Sequence, residues 1–272
     1  MSKRLWIGNP TSTEPDRVYN NRGIWMTLEK PDGTLGIPTI DSTGYVWARV
    51  YNLTDRPVKD AEVKFWFCGP GSRLLRAQSV RIGGSFVDVG TNPNFEDVLC
   101  VTPWTPRFDK AVHGCLMAEV QHWLDPYPEA DVFDASTYTQ IGQRNISLHK
   151  LGDTPWQRSF DVPAAGNEVA TSNLSLAILS APPADFSGLR ASLGLPPQVQ
   201  FEGTPFLEAG LALSATSNPN SNLQLKVPSG TATKVYVSVR KKAAKPNALQ
   251  LVQVVERING VVVGGLTYAF LL

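Results

Sequence analysis

The chain has 272 residues with a net charge of +1, 42% hydrophobic and 18% charged residues. That length suits one large or two ordinary domains with their own cores, and the composition is that of a globular protein. Near-neutral charge supplies no field to gather nucleic acid or anionic lipid, and no window reaches the roughly 18 apolar residues of a membrane span.

The N-terminus, MSKRLWIGNP, has basic residues without an apolar run behind them, so it does not read as a secretory signal. The location expected is cytoplasmic, or exported without a cleaved signal. Every Trp, His, Cys and Met lies within the first 156 residues. The remainder is built mostly of Ala, Leu, Val, Ser, Pro and Asn, and this break predicts two domains, 1–152 and 157–272. Three cysteines rule out a fully paired framework. They leave either three buried thiols or one bridge and one thiol.

Short candidate strands open the chain at Arg4–Ile7 and Ile24–Leu28. From Tyr45 to Tyr51, apolar Val46, Ala48 and Val50 alternate with Tyr45, Trp47, Arg49 and Tyr51. A period of two means a strand with one face on a core. The stretch from Asn52 to Pro57 is a turn by composition. A second strand follows, with Val63, Phe65 and Phe67 alternating with Lys64, Trp66 and Cys68, ended by Gly69-Pro70-Gly71. Weaker strands fit Leu75–Ile82 and Asp97–Val101. Leu116, Ala118 and Val120 alternate in a later strand, and Ile141–Leu148 fits another. The three triplets are expected to share one core. About seven strands at spacings of about 10–20 residues predict an antiparallel β-sandwich.

Residues 149–157 read as a linker. Strands resume at Leu174–Leu179, Leu207–Leu213, Leu223–Val227 and Val235–Val239. Asp185–Gly194 reads as one or two helical turns ending at a glycine. Asn259-Gly260 separates two apolar runs, which is the preferred type I′ hairpin turn. The fold class expected is all-β: two antiparallel sandwiches.

The stretch Tyr-Val-Trp-Ala-Arg-Val-Tyr-Asn at 45–52, a polar loop, and Ala-Glu-Val-Lys-Phe-Trp-Phe at 61–67 resemble immunoglobulin-like bacterial domains of the CARDB type, named for cell-adhesion-related modules. His113–Val120 and Gln143–Leu148 look like later strands of the same sandwich. The resemblance covers about residues 20–150. It implies an immunoglobulin-like first domain, and it differs from the usual setting in lacking a signal peptide and in its longer loops after Gly69 and Asp125. No family is recognised for 157–272.

His113 and His122 are nine residues apart, so one strand would point them to opposite faces, roughly 30 Å apart. The suggestive metal set is His113 with Cys115, approached by Cys68, set against ordinary buried residues. The acidic loop Asp125–Asp134 offers carboxylates for Ca²⁺, set against a solvated, Pro-stiffened loop. There is no G-x-S-x-G, H-E-x-x-H, Walker loop or G-x-G-x-x-G. No catalytic residue and no cofactor is therefore assigned, and an enzyme is not expected. Arg240–Lys245 is a basic cluster, read as a solubilising hairpin tip. The candidate partner face is Tyr45, Trp47, Tyr51 and Trp66, because flat aromatics anchor proteins or stack on sugars.

These residues lead to a non-catalytic protein acting through protein contact or self-association. The contact is expected on the aromatic face or along the C-terminal strand, which is either central in its sheet or an edge. The rivals are a carbohydrate-binding or adhesion module, a toxin or pore-forming component whose C-terminal hairpin changes state, and an unrecognised hydrolase.

Overall fold

The computed structural model describes residues 4–11, 18–36, 42–92, 94–105, 115–128, 130–164, 170–243 and 245–272. It is nearly all β, with several antiparallel sheets. The first ten strands are β1 (Leu5–Ile7), β2 (Ile24–Leu28), β3 (Gly44–Asn52), β4 (Val58–Cys68), β5 (Leu74–Leu75), β6 (Ser79–Val89), β7 (Asn94–Leu99), β8 (Cys115–Gln121), β9 (Val132–Phe133) and β10 (Ile141–Arg144).

Two sheets form from these. In one, β3 is central, with β1 and β2 successively along one edge and β7 along the other. The other runs β10-β8-β4-β6. Val46, Ala48 and Val50 of the first sheet meet Val63, Phe65, Phe67, Leu116, Ala118 and Val120 of the second in one buried cluster. All three expected triplets therefore point inward, as a strict period of two requires.

The outer face of the second sheet is roofed by the β5–β9 pair and the chain leading to β10. Tyr127, Phe133 and Ala135 close over Cys68, Cys115 and Met117.

The later strands are β11 (Ile146–Lys150), β12 (Trp156–Pro163), β13 (Ala170–Ile178), β14 (Gln200–Phe201), β15 (Leu207–Ala212), β16 (Asn222–Val227), β17 (Ala232–Lys241), β18 (Ala248–Ile258) and β19 (Val261–Leu271). They make a sheet ordered β11-β19-β18-β13-β16, with β14 beside β18, and a sheet ordered β12-β17-β15. Val235, Val237 and Val239 face Leu174, Val252, Val254 and Tyr268 across the second core. Helix α1 (Phe186–Ser192) covers the far side of the larger sheet, where Leu189 packs with Leu249, Leu251 and Ala269.

Among the described residues no ladder joins strands before Asn145 to strands after it; a single bridge, Gly71 to Asp161, connects them. Two expectations change here. Ile141–Leu148 is two strands, because the chain leaves the first sandwich at Asn145 and enters the other sheet at Ile146. The expected linker 149–157 therefore lies partly within strands β11 and β12. Asn145 is fully buried: its Nδ2 donates to the carbonyls of Gly71 (3.0 Å) and Gly265 (2.6 Å). Those bonds satisfy a polar side chain that burial would otherwise penalise, and they pin the crossing point. The C-terminal strand β19 is paired with β18 along its length and with β11 over Thr267–Leu271, so its C-terminal half is internal to the sheet.

The two parts are packed together. Arg73 pairs with buried Glu256 at 3.1 Å and donates to the carbonyls of Pro163 and Ala164. Glu256 also accepts from Ser172 at 2.7 Å.

Candidate binding face

Sandwich sheets turn one face to the core and the other outward. On the outer face of the β1–β2–β3–β7 sheet the outward positions are largely aromatic. Trp6 stands opposite Tyr51, Trp25 opposite Trp47, and Phe95 opposite Tyr51 on the other edge. The neighbours of Trp6 and Trp25 along their strands are buried, which sets the indoles on the outward side.

The Trp25 and Trp47 rings are parallel, 3° apart, with centroids at 6.0 Å. Trp47 Nε1 donates to Thr27 Oγ1 at 3.3 Å. Four residues along β3, about 13 Å away, Tyr51 packs on Phe95 at 5.1 Å. Between the two groups Arg49 grips Asp97 bidentately, at 2.7 and 2.8 Å. Its guanidinium lies 4.2 Å from the Phe95 ring centroid and 5.8 Å from that of Trp25. The Asp97 hydrogen bond holds the Arg49 pKa above its ordinary value. The face is thus aromatic, with its one charge pair neutralised. Phe95 is 39% exposed, while Trp6, Trp25, Tyr45, Trp47 and Tyr51 are half-buried.

Of the expected set, Tyr45, Trp47 and Tyr51 share this face. Trp66 does not. It points outward from the opposite sheet and is covered by the roof: its ring is 5.7 Å from Phe133, and its Nε1 donates to Glu119 at 3.0 Å. Two strands of one sandwich but of different sheets cannot present a common outer face. Trp6, Trp25, Phe95 and the Arg49–Asp97 pair complete the face instead. Their signal in the sequence is alternation in very short strands, Leu5-Trp6-Ile7 and Ile24-Trp25-Met26.

The other candidates are engaged elsewhere. His113 and Glu129 lie outside the described residues. His122 is buried against Trp123, and its Nδ1 accepts from the Leu124 amide at 3.2 Å. Cys115 donates to Asn145 Oδ1 at 2.7 Å, and Cys68 Sγ is 2.7 Å from Ser79 Oγ. In the acidic loop, Asp125 accepts from the amide of Leu5 at 2.8 Å, while Asp134 accepts from those of Ser136 and Thr137 at 3.1 and 3.0 Å. These carboxylates close turns and hold β1 rather than converge. Among the described residues no three His, Cys, Asp or Glu side chains are grouped to hold a metal ion. The basic cluster is paired: Arg240 and Lys242 with Glu208, Lys241 with Asp153, and Lys245 with Glu202.

A titratable cluster that sequence reasoning missed is roofed over. Glu119, wholly buried, accepts from Trp66 Nε1, both terminal nitrogens of Arg76 (3.1 and 3.0 Å) and the Tyr127 hydroxyl. Burial and the Glu119 charge hold the Tyr127 phenol above its ordinary range. Four donors fill the acceptor sites of the carboxylate.

No family model matches the chain, and no curated protein does. Among solved structures it is similar to the CupB6 tip adhesin from Pseudomonas aeruginosa, at 10% identity and TM-score 0.29, covering 94% of this chain and 99% of that one. A bacterial adhesin from Mobiluncus mulieris with intramolecular cross-links gives 7% identity and TM-score 0.25, covering 99% of each. Red sea bream transglutaminase gives 11% and 0.22, covering 92% of this chain and 31% of that one. These likenesses name no family and no partner, so the functional reading rests on the face itself.

Proposed function

We propose that this chain is a non-catalytic binding protein that engages a partner protein through the outer face of the β1–β2–β3–β7 sheet. The observation that carries this reading is the convergence of Trp6, Trp25, Trp47, Tyr51 and Phe95 around the Arg49–Asp97 pair. Trp, Tyr and Arg dominate binding hot spots because they bury large area with few rotamers to freeze. Arg49 comes with its counter-ion, so a partner covering it buries no lone charge.

The proposal includes the organisation of the chain: a first immunoglobulin-like sandwich of the CARDB type and a second sandwich of unrecognised family. What supports the division is that the ladders on either side of Asn145 share no strand. The partner is either another protein or a second copy of the chain.

The test is photo-crosslinking from the Phe95 position, with partners identified by mass and affinity measured for variants. Trp47→Ala is expected to weaken the complex by about 2 kcal/mol or more, as at a hot spot. Phe86→Ala, an exposed aromatic on the opposite sheet, is expected to leave it unchanged. A complex equally insensitive to both changes excludes this face.

A second reading is favoured by one feature. The Trp25 and Trp47 rings are parallel and on the surface of a rigid sheet, which suits stacking on the flat faces of sugar rings. Quenching of tryptophan fluorescence by a defined oligosaccharide, lost in Trp47→Ala, together with no protein crosslink, selects it.

A further inference from the structure

We infer that Cys68 and Cys115 are a disulfide site, an intrachain cross-link that closes across the β4–β8 strand pair. The two residues stand directly opposite one another in the antiparallel register. Both side chains belong to the same buried cluster under the roof. The Val120 amide bonds toward β10, to the Gln140 carbonyl. Alternation then turns the odd-numbered residues of β8 toward β4, so Cys115 and Cys68 occupy a hydrogen-bonded pair. Such pairs have Cα atoms about 5.5 Å apart, inside the range of about 4.4–6.8 Å that a disulfide spans.

The geometry also sets the character of the bond. Opposite Cβ atoms lie about 4.5–5.5 Å apart in a sheet, toward the long end in a hydrogen-bonded pair, and a disulfide needs about 3.5–4.5 Å. Closing the bond draws the strands together, and a strained disulfide is the more readily reduced kind. The third thiol is excluded by position. Cys100 lies in the core between the sheets, on the other side of this one.

In the folded dithiol the site is shut. Both side chains are almost completely buried, and burial pushes the Cys68 thiol up to about 12 and raises that of Cys115 as well. Thiols kept protonated and covered exchange slowly. The bridge therefore closes while the chain folds in the presence of a small disulfide oxidant such as oxidised glutathione. One cysteine thiolate attacks the oxidant, forming a mixed disulfide and releasing one glutathione thiolate. The second cysteine thiolate then attacks the protein sulfur of that mixed disulfide and releases the other glutathione. Two protein thiols have lost two protons and two electrons, and one small disulfide has become two thiols.

Oxidation also withdraws the Cys115 hydrogen from Asn145 Oδ1. Asn145 holds the Gly71 and Gly265 carbonyls, so the redox state is felt where the two parts of the chain meet.

The test uses the full chain, refolded from denaturant in a glutathione redox buffer, alkylated, cleaved with trypsin and weighed. The expected product is the peptide containing Cys68 joined to that containing Cys115, lighter by two hydrogens, with Cys100 alkylated. C100A is expected to give the same linked peptide, and C68A and C115A none. The already folded, reduced protein is expected to form the link at least about tenfold more slowly than the refolding chain. Three alkylated cysteines after oxidative refolding, or a link through Cys100, overturns the assignment. Equal rates for folded and refolding protein overturn the claim that folding gates it.

Discussion

Glu119 sits where a charge is most costly, wholly buried beneath the roof of the second sheet, and it is tolerated because Arg76, Tyr127 and Trp66 all donate to it. Glu119→Ala strands a partly buried guanidinium, so the expected loss is about 3–5 kcal/mol in urea unfolding. A loss under 1 kcal/mol would show that the roof opens freely to water. Phe65, in the first core, is expected to cost a similar amount, about 3–5 kcal/mol on truncation to Ala. Arg49 is the contrasting case. Its side chain and that of Asp97 are 36% and 34% exposed, so solvent screens the pair. Arg49→Ala is expected to lower stability by less than about 1 kcal/mol, while weakening partner binding by more than that. Parallel measurement of unfolding and affinity separates the two roles, and equal losses in both would mark Arg49 as structural.

At the scale of elements, local chemistry and local structure agree wherever a pattern is long. The turn at Asn259-Gly260 has φ of 51° and 81°, the left-handed pair that a type I′ hairpin demands. Helix α1 is capped by Asp185, whose carboxylate accepts from the Gly188 amide at 2.9 Å, and it ends before Gly194 at φ +69°. Two glycines test different physics. Gly260→Ala meets open space but keeps a positive φ, so about 1–2 kcal/mol is expected. At Gly264 a Cβ would lie 2.0 Å from the Ser72 carbonyl oxygen. That oxygen belongs to the other part of the chain, so Gly264→Ala is expected to force the parts apart. Thermal unfolding should then split into two transitions for Gly264→Ala and remain single for Gly260→Ala. A single unshifted transition for Gly264→Ala would mean that the junction yields without cost.

For the whole molecule, alkaline pH is the decisive stress. Burial raises the pKa of Cys68, Cys100, Cys115, Tyr127 and Tyr268 in the folded protein. The unfolded chain gives up these protons from the ordinary values of 9.0 and 10.0 upward, whereas the folded chain retains them. Stability is thus fully present below about pH 9 and falls as pH rises through the folded values. Arg144 acts in the opposite sense, since burial lowers it to about 10, but it is one group against five. In reducing buffer the urea midpoint is expected to be lower at about pH 10.5 than at about pH 8. A higher midpoint would mean that Arg144 dominates. The sequence by itself determined the long alternating strands β3, β4 and β8 with their inward residues, the hairpin turn and the aromatic surplus on β3, because a period of two and a turn motif are local properties; it did not show β12, which begins within the stretch read as a linker. Which strand joins which sheet is a property of chain crossings. Tertiary structure alone decided that Trp47 and Trp66 face away from one another, and that Trp6, Trp25 and Phe95 join Trp47. It also decided that Asn145 is where the chain changes sheets, and that Cys68 meets Cys115. Each depends on hydrogen-bonded register between residues distant in sequence, which no local pattern carries.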